Sequence, residues 1–274
     1  MNRKPLLLFM VLFLLGSQGI AKDKESNATI YWLFFDFPMA VRLKENPPGY
    51  LVEMHRQLIS KMPEYTHQVV EASFPRIMDH MVRHQKSCTL LALKNPEREK
   101  FMVFGTPLMK GYPAGVIARK DNEKIKKFLV KPKLLDLDAL LKDKSMNVGV
   151  VSQRFYGNKI NKSLEKRQGA GVTERKGLTV DRELKTLLAL RRLDVYVGYP
   201  FEANYNSEFI FYFVKDGLEL LEPRVSCEKT EFGKTVVEKT EELRRKYKLD
   251  AEFDKIYQKY YPKSDQEEFR KLAE

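Results

Sequence analysis

The most informative part of this sequence is the run NPEREKFMVFGTP at residues 95–107. It directly follows an apolar, β-prone segment, residues 88–93, which we predict to be a strand. Upstream of that strand, segments with strand and helix patterns alternate. The predicted strands are residues 28–35 and 67–71, and the predicted amphipathic helices are residues 50–62 and 76–84. Such alternation is typical of an α/β protein with a mostly parallel sheet.

The same alternation continues downstream of the run. Strands are predicted at residues 115–118, 147–151, 195–197 and 209–214, and helices at residues 137–141, 156–165 and 181–191. Near the C-terminus, residues 234–247 form one predicted helix, and Asp250 is a suitable N-cap for a second helix that ends before Pro262. The sequence contains no internal repeat and no low-complexity linker.

Composition and charge narrow the class of protein. The 274 residues are 43% hydrophobic and 31% charged, which are the proportions of a globular protein. The chain has 49 Lys and Arg against 37 Asp and Glu, so its formal net charge is +12. A basic balance favours an anionic ligand or partner. Nucleic acid is not expected, because the protein is predicted to be exported and no basic cluster is interleaved with aromatic residues.

The first 21 residues have the pattern of a secretory signal peptide. A short basic segment ends at Lys4, an unbroken apolar run covers residues 6–15, and Gly19 and Ala21 supply the small residues of a cleavage site. A transmembrane anchor needs about 20 apolar residues, roughly twice the length of this run. We therefore expect cleavage after Ala21 and a soluble protein in the periplasm.

Cys88 and Cys227 are the only two cysteines. An even number of cysteines in an exported protein commonly indicates a disulfide, and only one pairing is available. Two buried free thiols remain the alternative. No metal site is expected, because the cysteines are far apart and, of the four histidines, only His80 and His84 have the i, i+4 spacing of one helix face.

The run at residues 95–107 resembles the TPER motif, with its following F-S-x-P, of the bacterial extracellular solute-binding proteins of family 3, which are type II periplasmic binding proteins. Other landmarks of that family follow in the expected order. They are DLDAL at 136–140 with VGV at 148–150, RLDVYV at 192–197, and FDKIYQKYY at 253–261. The resemblance spans nearly all of the chain after the predicted signal peptide.

This resemblance implies two α/β lobes joined by two crossing hinge strands, with a ligand enclosed between the lobes by a hinge motion. Lobe one comprises residues 22–111 and 226–274, and lobe two comprises residues 112–225. Both cysteines then lie in lobe one, where a disulfide would not block closure. The expected partner is the membrane permease of an ABC-type transporter. We expect a monomer that needs no cofactor.

The resemblance assigns the ligand carboxylate to Arg98, because a planar guanidinium binds a carboxylate through two hydrogen bonds. An exposed Arg98 beside Glu97 and Glu99 is the alternative. Four positions depart from the family pattern. The family's serine, threonine, lobe-two carboxylate and Gly-Thr pair are replaced by Leu93, Asn95, Tyr199 and Gln153-Arg154. Arg154 adds a charge to a predicted helix N-terminus that already favours anions, so these departures argue against a free α-amino acid as the ligand.

Three further residues are expected near the ligand. Trp32 and Phe37 lie at the end of the first strand, and Arg76 lies at a strand-to-helix turn on the same edge. Core packing is the alternative for Trp32 and a surface position is the alternative for Arg76. With Arg98, Arg154 and Tyr199, they predict a small anionic ligand that is aromatic or peptide-like.

Two other functions remain open for such a chain. One is a ligand-sensing or envelope-interaction module without transport. The other is an enzyme on the same scaffold, which is disfavoured because the sequence identifies no catalytic acid or base in the cleft. We therefore expect a binding protein rather than an enzyme.

Overall fold

The computed structural model describes six segments of the chain, namely residues 28–37, 39–83, 85–167, 171–203, 208–261 and 263–273. The predicted signal peptide, residues 1–21, and His84 lie outside these segments. Within them, no helix combines the length and apolar character needed to cross a membrane.

Each predicted strand has a counterpart in the structure, within a few residues at its ends. The strands of the described segments are β1 Thr29–Phe34, β2 Thr66–Glu71, β3 Ser87–Leu93, β4 Met102–Pro107, β5 Gly115–Arg119, β6 Leu129–Lys131, β7 Leu134–Leu135, β8 Val148–Val151, β9 Val172–Arg175, β10 Val195–Gly198, β11 Phe209–Val214 and β12 Pro223–Glu228.

Each predicted helix also has a counterpart. The α-helices of the described segments are α1 Tyr50–Ile59, α2 Phe74–Val82, α3 Pro96–Glu99, α4 Leu137–Lys142, α5 Asn158–Glu165, α6 Val180–Ala189, α7 Pro200–Ala203, α8 Glu231–Tyr247, α9 Leu249–Tyr260 and α10 Lys263–Ala273. A 3-10 helix, Glu123–Phe128, precedes β6. The short helices α3 and α7 were not predicted, and both lie at the candidate site.

The strands form two sheets. The first has the order β2-β1-β3-β12-β4, and the second has the order β6-β7-β11-β5-β10-β8-β9. The α/β class is confirmed, but the sheets are mixed rather than mostly parallel. In the first sheet β12 is antiparallel to β3 and β4, and in the second β5 is antiparallel to β10 and β11. The physical reason is the connectivity: β12 returns from the second sheet and enters the first in the opposite direction.

The chain crosses between the sheets twice, as expected for two hinge strands. The crossings pair with each other at Gly111 and Leu221, where each backbone N–H donates to the other's carbonyl oxygen at 2.7 and 2.8 Å. After the second crossing, α8 and α9 pack on the first sheet's side. The last helix, α10, instead places Phe269 and Leu272 against the core of the second sheet, and Glu268 pairs with Lys133 at 3.0 Å.

The disulfide is present between Cys88 and Cys227. The two residues face each other on the antiparallel strands β3 and β12, with their Cα atoms 4.0 Å apart. Both side chains are fully buried in the first sheet's core. The disulfide therefore links β3, which precedes the first crossing, to β12, which follows the second crossing.

Trp32 lies in the core and not at the edge that faces the second sheet. Its side chain is fully buried, its indole N–H donates to His67 Nδ1 at 2.9 Å, and its ring meets His55 at a centroid distance of 4.8 Å. The other ring nitrogen of His67 lies 2.9 Å from the Met62 carbonyl oxygen. The indole N–H is satisfied within the core, which is the usual arrangement for a buried tryptophan.

His55 makes the stability of this core depend on pH. Burial, followed by the nearby His67 and Arg56, lowers the pKa of His55 to about 3. An unfolded histidine takes up a proton near pH 6.5, so below that pH the unfolded state binds more protons than the folded state. The folded protein is therefore destabilised as the pH falls from about 6.5 towards 3.

We expect His55→Leu to flatten this acid dependence. Between pH 6 and pH 4, the free energy of unfolding of the wild type should fall more steeply than that of the variant, by up to about 1.4 kcal/mol per pH unit. Urea unfolding at several pH values measures this slope. His80→Leu, on the partly exposed face of α2, is the control and should leave the slope unchanged. Equal slopes for wild type and His55→Leu would contradict the assignment.

Candidate functional site

The centre of the candidate site is Arg154, in the turn between β8 and α5. The sequence predicted a helix from residue 156, but α5 begins at Asn158, so Arg154 does not lie at the helix N-terminus. Tyr156 shapes this turn: its hydroxyl accepts from the Val151 N–H at 2.8 Å, and its N–H donates to Asn161 Oδ1 at 2.7 Å. The turn directs Arg154 inward, and its side chain is only 4% exposed.

Glu202 is the counter-charge of Arg154. It lies on α7, directly after β10, and its Oε1 accepts from Arg154 Nη1 at 2.8 Å while its Oε2 accepts from the Tyr199 N–H at 3.0 Å. Burial is the largest single effect on Arg154 and lowers its pKa, but Glu202, Tyr156 and Tyr199 together outweigh burial, so the pKa is raised. Burial also raises the pKa of Glu202, against the opposing effect of Arg154. The two groups form a fully buried ion pair.

Glycine at position 198 makes room for this carboxylate. A Cβ at Gly198 would lie 2.0 Å from Glu202 Oε2, closer than any side chain tolerates. The buried position of the Glu202 carboxylate therefore requires glycine at position 198, the last residue of β10.

Aromatic rings surround the Arg154 guanidinium on the sides that Glu202 does not occupy. The ring centroids lie within cation–π range of its Cζ, at 5.6 Å for Phe35, 4.9 Å for Phe37, 5.9 Å for Tyr156 and 5.7 Å for Tyr199. Phe35 and Phe37 follow β1 of the first sheet, whereas Tyr156 and Tyr199 follow strands of the second. Arg154 therefore lies between the two sheets, and the structure brings it together with the predicted Phe37 and Tyr199.

One edge of Arg154 is unused. Its Nε and Nη2 atoms are buried and have no hydrogen-bond partner among the described residues. These two N–H groups point along the same edge of the guanidinium, which is one of the edges that can bind a carboxylate through two parallel hydrogen bonds. Buried donors in native proteins are nearly always paired, so this edge is the clearest ligand-directed feature of the cleft.

Arg98 lies on the opposite side of the cleft, in the short helix α3. Asn95 caps that helix, because its Oδ1 accepts from the Arg98 N–H at 2.9 Å. The guanidinium donates from Nη1 to the Leu93 carbonyl at 2.8 Å and from Nη2 to the Gln153 carbonyl at 3.3 Å. The second bond connects α3, which lies beside the first sheet, to the turn that follows β8 of the second sheet. Burial lowers the pKa of Arg98 to about 10, so it remains charged at neutral pH.

Arg98 is thus buried rather than exposed, because only 5% of its surface is accessible to solvent. It is held between the rings of Phe74 and Phe155, with centroids 5.0 and 5.9 Å from its Cζ. The structure does not bring Arg76 into this cluster: it lies exposed on α2, and Phe74 of the same helix makes the contact instead. Trp32 is also outside the cluster, in the core described above.

Among the described residues, the cavity beside the hinge is small. A cavity of about 50 Å³ lies beside the hinge and is lined by Phe37, Tyr199, Phe201, Tyr112 and neighbouring apolar residues, whereas ligand sites in proteins typically measure about 300–1,000 Å³. Phe37 fills the cleft from the first sheet's side, with ring centroids 5.3 Å from Tyr199 and 4.9 Å from Phe201. This conformation is therefore closed, and a ligand must separate these rings to enter.

Comparison with known proteins identifies the fold. No family model and no curated protein matches the sequence. Solved structures match over almost the whole described chain. A variant of ArgBP from T. maritima has a TM-score of 0.65 at 16% identity, covering 85% of this chain and 95% of that one. An arginine transport-system periplasmic binding protein from Legionella pneumophila has a TM-score of 0.63 at 14% identity, with coverages of 86% and 99%.

The chain has the fold of the two-lobe periplasmic binding proteins. A third similar structure is an ancestral amino-acid-binding protein described as a precursor of cyclohexadienyl dehydratase, with a TM-score of 0.66 at 16% identity, covering 86% of this chain and 96% of that one. In this chain, Arg98 hydrogen-bonds to the Gln153 carbonyl, next to Arg154 in the sequence.

Sequence reasoning missed Glu202. The lobe-two carboxylate of the resembled family corresponds to position 199, which is a tyrosine in this chain, so no carboxylate was predicted in the cleft. The available signal was a glutamate three residues downstream, after the glycine of β10. Among the described residues, no group of three or more His, Cys, Asp and Glu is arranged to hold a metal ion.

Proposed function

We propose that this protein captures a small carboxylate-bearing solute between its two lobes in the periplasm and delivers it, as a monomer, to the permease of an ABC-type transporter. The observation that carries the proposal is the unused Nε and Nη2 edge of Arg154, which lies buried between the lobes. Arg98 adds a second positive charge on the facing lobe. Glu202 neutralises only one of the two, so the cleft favours an anion.

The walls of the cleft indicate the rest of the ligand. The rings around the two guanidinium groups offer apolar surface and flat faces, at which an aromatic or peptide-like group packs well. The buried carboxylate of Glu202 is engaged by Arg154 and by the Tyr199 N–H. It is therefore not free to receive the ammonium group of an α-amino acid, which supports a ligand recognised mainly through its carboxylate.

Native mass spectrometry of protein purified from the periplasm is the direct test, because a closed binding protein retains its ligand through purification. The expected result is a mass increment that disappears on mild denaturation and belongs to a carboxylate. Calorimetry with that compound then gives the affinity of the wild type and of variants.

We expect Arg154→Lys to weaken binding of that compound by about 30- to 150-fold, which corresponds to about 2–3 kcal/mol for hydrogen bonds to a charged group. Lysine keeps the charge beside Glu202 but cannot present a two-donor edge. Arg98→Ala should weaken binding at least as much. Arg76→Ala, an exposed arginine on the neighbouring helix, is the matched control and should bind as the wild type does. Unchanged affinity in both Arg154→Lys and Arg98→Ala would refute the assignment of the site.

A ligand-sensing module without transport is the second candidate. Phe37 joins the lobes through ring contacts with Tyr199 and Phe201, and this closed state suits a sensor as well as a transport protein. Uptake measurements in a deletion strain separate the two functions: loss of uptake of the identified carboxylate supports transport, and unchanged uptake supports sensing. Steady turnover of the compound by purified protein would instead indicate an enzyme.

A further inference from the structure

The positive charge of this chain is concentrated in one part of it. Residues 119–176 contain 16 Lys and Arg against 7 Asp and Glu, whereas the remaining residues contain 33 against 30. That segment builds one side of the second lobe, from β5 through α4, β8 and α5 to β9. This segment therefore carries an excess charge of +9, which is most of the net charge of +12 of the whole chain.

Within this segment, α4 and α5 enclose a surface cavity of about 520 Å³. We call the residues around it the basic face: Lys142 and Lys144 at the end of α4, and Lys166 and Arg167 at the end of α5. Arg167 forms its base, where Nη1 donates to the Leu141 carbonyl at 2.9 Å and Nη2 to the Met146 carbonyl at 2.6 Å. The three lysines are exposed around it.

Acidic groups do not neutralise the basic face. Asp138 is the one carboxylate among the described residues that line the cavity, and it already pairs with Lys159 at 2.7 Å and lies 4.0 Å from Lys166. Lys142 and Lys144 form no ion pair with any described residue. Elsewhere on the same lobe lysines are paired, as Lys126 is with Glu123 at 2.6 Å, so the unpaired lysines are a feature of the basic face.

We propose that the basic face docks this protein onto the anionic phospholipid headgroups of a bilayer. A phosphodiester carries one negative charge and oxygen acceptors only, which matches a concave site lined by ammonium groups. Each clustered lysine strengthens binding to an anionic lipid surface by about fivefold. The basic face lies at the C-terminal end of α5 and Arg154 precedes its N-terminal end, so docking leaves the cleft free.

Vesicle co-sedimentation tests this inference with protein purified from the periplasm. Vesicles of phosphatidylcholine mixed with phosphatidylglycerol should bind the wild type, and vesicles of pure phosphatidylcholine should not. Binding should weaken as the ionic strength rises. The triple variant Lys142→Glu, Lys144→Glu, Lys166→Glu should bind the anionic vesicles at least about a hundredfold more weakly.

The matched control reverses three exposed lysines of the first lobe, Lys61, Lys246 and Lys255, and changes the net charge equally. It should retain nearly wild-type binding. Equal losses in the two triple variants, or no binding of the wild type to anionic vesicles, would overturn the proposal. So would binding of soluble polyphosphate at the basic face without vesicle binding. Lys142→Ala with Lys144→Ala serves as a milder variant, and circular dichroism verifies the fold of each.

Discussion

Glu202→Gln is expected to lower the free energy of unfolding by about 3–5 kcal/mol at neutral pH, because it leaves the buried Arg154 without its counter-charge. The side chains of Arg154 and Glu202 are 4% and 0% exposed, and their atoms are 2.8 Å apart. Removing one charge from such a pair leaves the other with its full desolvation cost. The change keeps the shape of the side chain, so the loss reports charge rather than volume. Urea unfolding monitored by circular dichroism measures it.

A double variant and a surface pair provide the controls. Glu202→Gln combined with Arg154→Met should recover most of the lost stability, since replacing both members of a buried pair by uncharged groups is often neutral. Glu97→Gln removes an exposed partner of Lys100 and should cost less than about 1 kcal/mol. If Glu202→Gln costs no more than Glu97→Gln, the buried pair is not the stabilising element described above.

Removal of the Cys88–Cys227 disulfide is expected to lower the free energy of unfolding by about 5 kcal/mol, the chain-entropy value for a loop of this length. The sequence separation is 139 residues, so the bond strongly restricts the unfolded chain. For a protein of this size, the melting temperature should fall by about 10–20 °C. Calorimetry of the Cys88→Ala, Cys227→Ala variant measures the effect.

Reduced wild-type protein is the second comparison, because it keeps both buried side chains and loses only the covalent bond. The difference between the reduced protein and the alanine variant isolates the packing of the two sulfur atoms. Equal melting temperatures of the oxidised and reduced proteins would contradict a stabilising role for this bond.

Most of the fold could be predicted from local patterns. The period of the apolar residues located seven strands, β1, β2, β3, β5, β8, β10 and β11, and most of the helices, but it did not locate β4, β6, β7, β9 or β12. The resemblance of the landmark motifs implied two crossings between lobes. The orientation of β12 and the position of α10 could not be predicted in this way. Both depend on where the chain goes after leaving the second sheet, which is a property of connectivity rather than of local pattern.

The candidate site was only partly predictable. Arg154 contacts Phe37 and Tyr199 between the lobes, and Arg98 bonds to the adjacent Gln153 carbonyl. Each of these four residues was named from its position relative to a motif or a predicted strand. Trp32 was placed there too, because a residue at a strand end resembles a cleft residue in sequence. Two histidines distant in sequence, His55 and His67, surround its ring and fix it in the core. Glu202 was missed because its role depends on the space left by Gly198.

The sequence by itself determined the alternation of strands and helices, the excess of positive charge, and the arginines of the cleft. The first two follow from residue type and spacing, which act over a few residues, and the arginines follow from the resemblance of the motifs around them. Only the tertiary structure decided which partner each charge has. Arg98 donates to backbone carbonyls from both lobes. Arg154 pairs with a buried carboxylate and leaves one edge of its guanidinium without a partner among the described residues. Desolvation is the physical reason, because a buried charge must find partners that folding brings from distant parts of the chain.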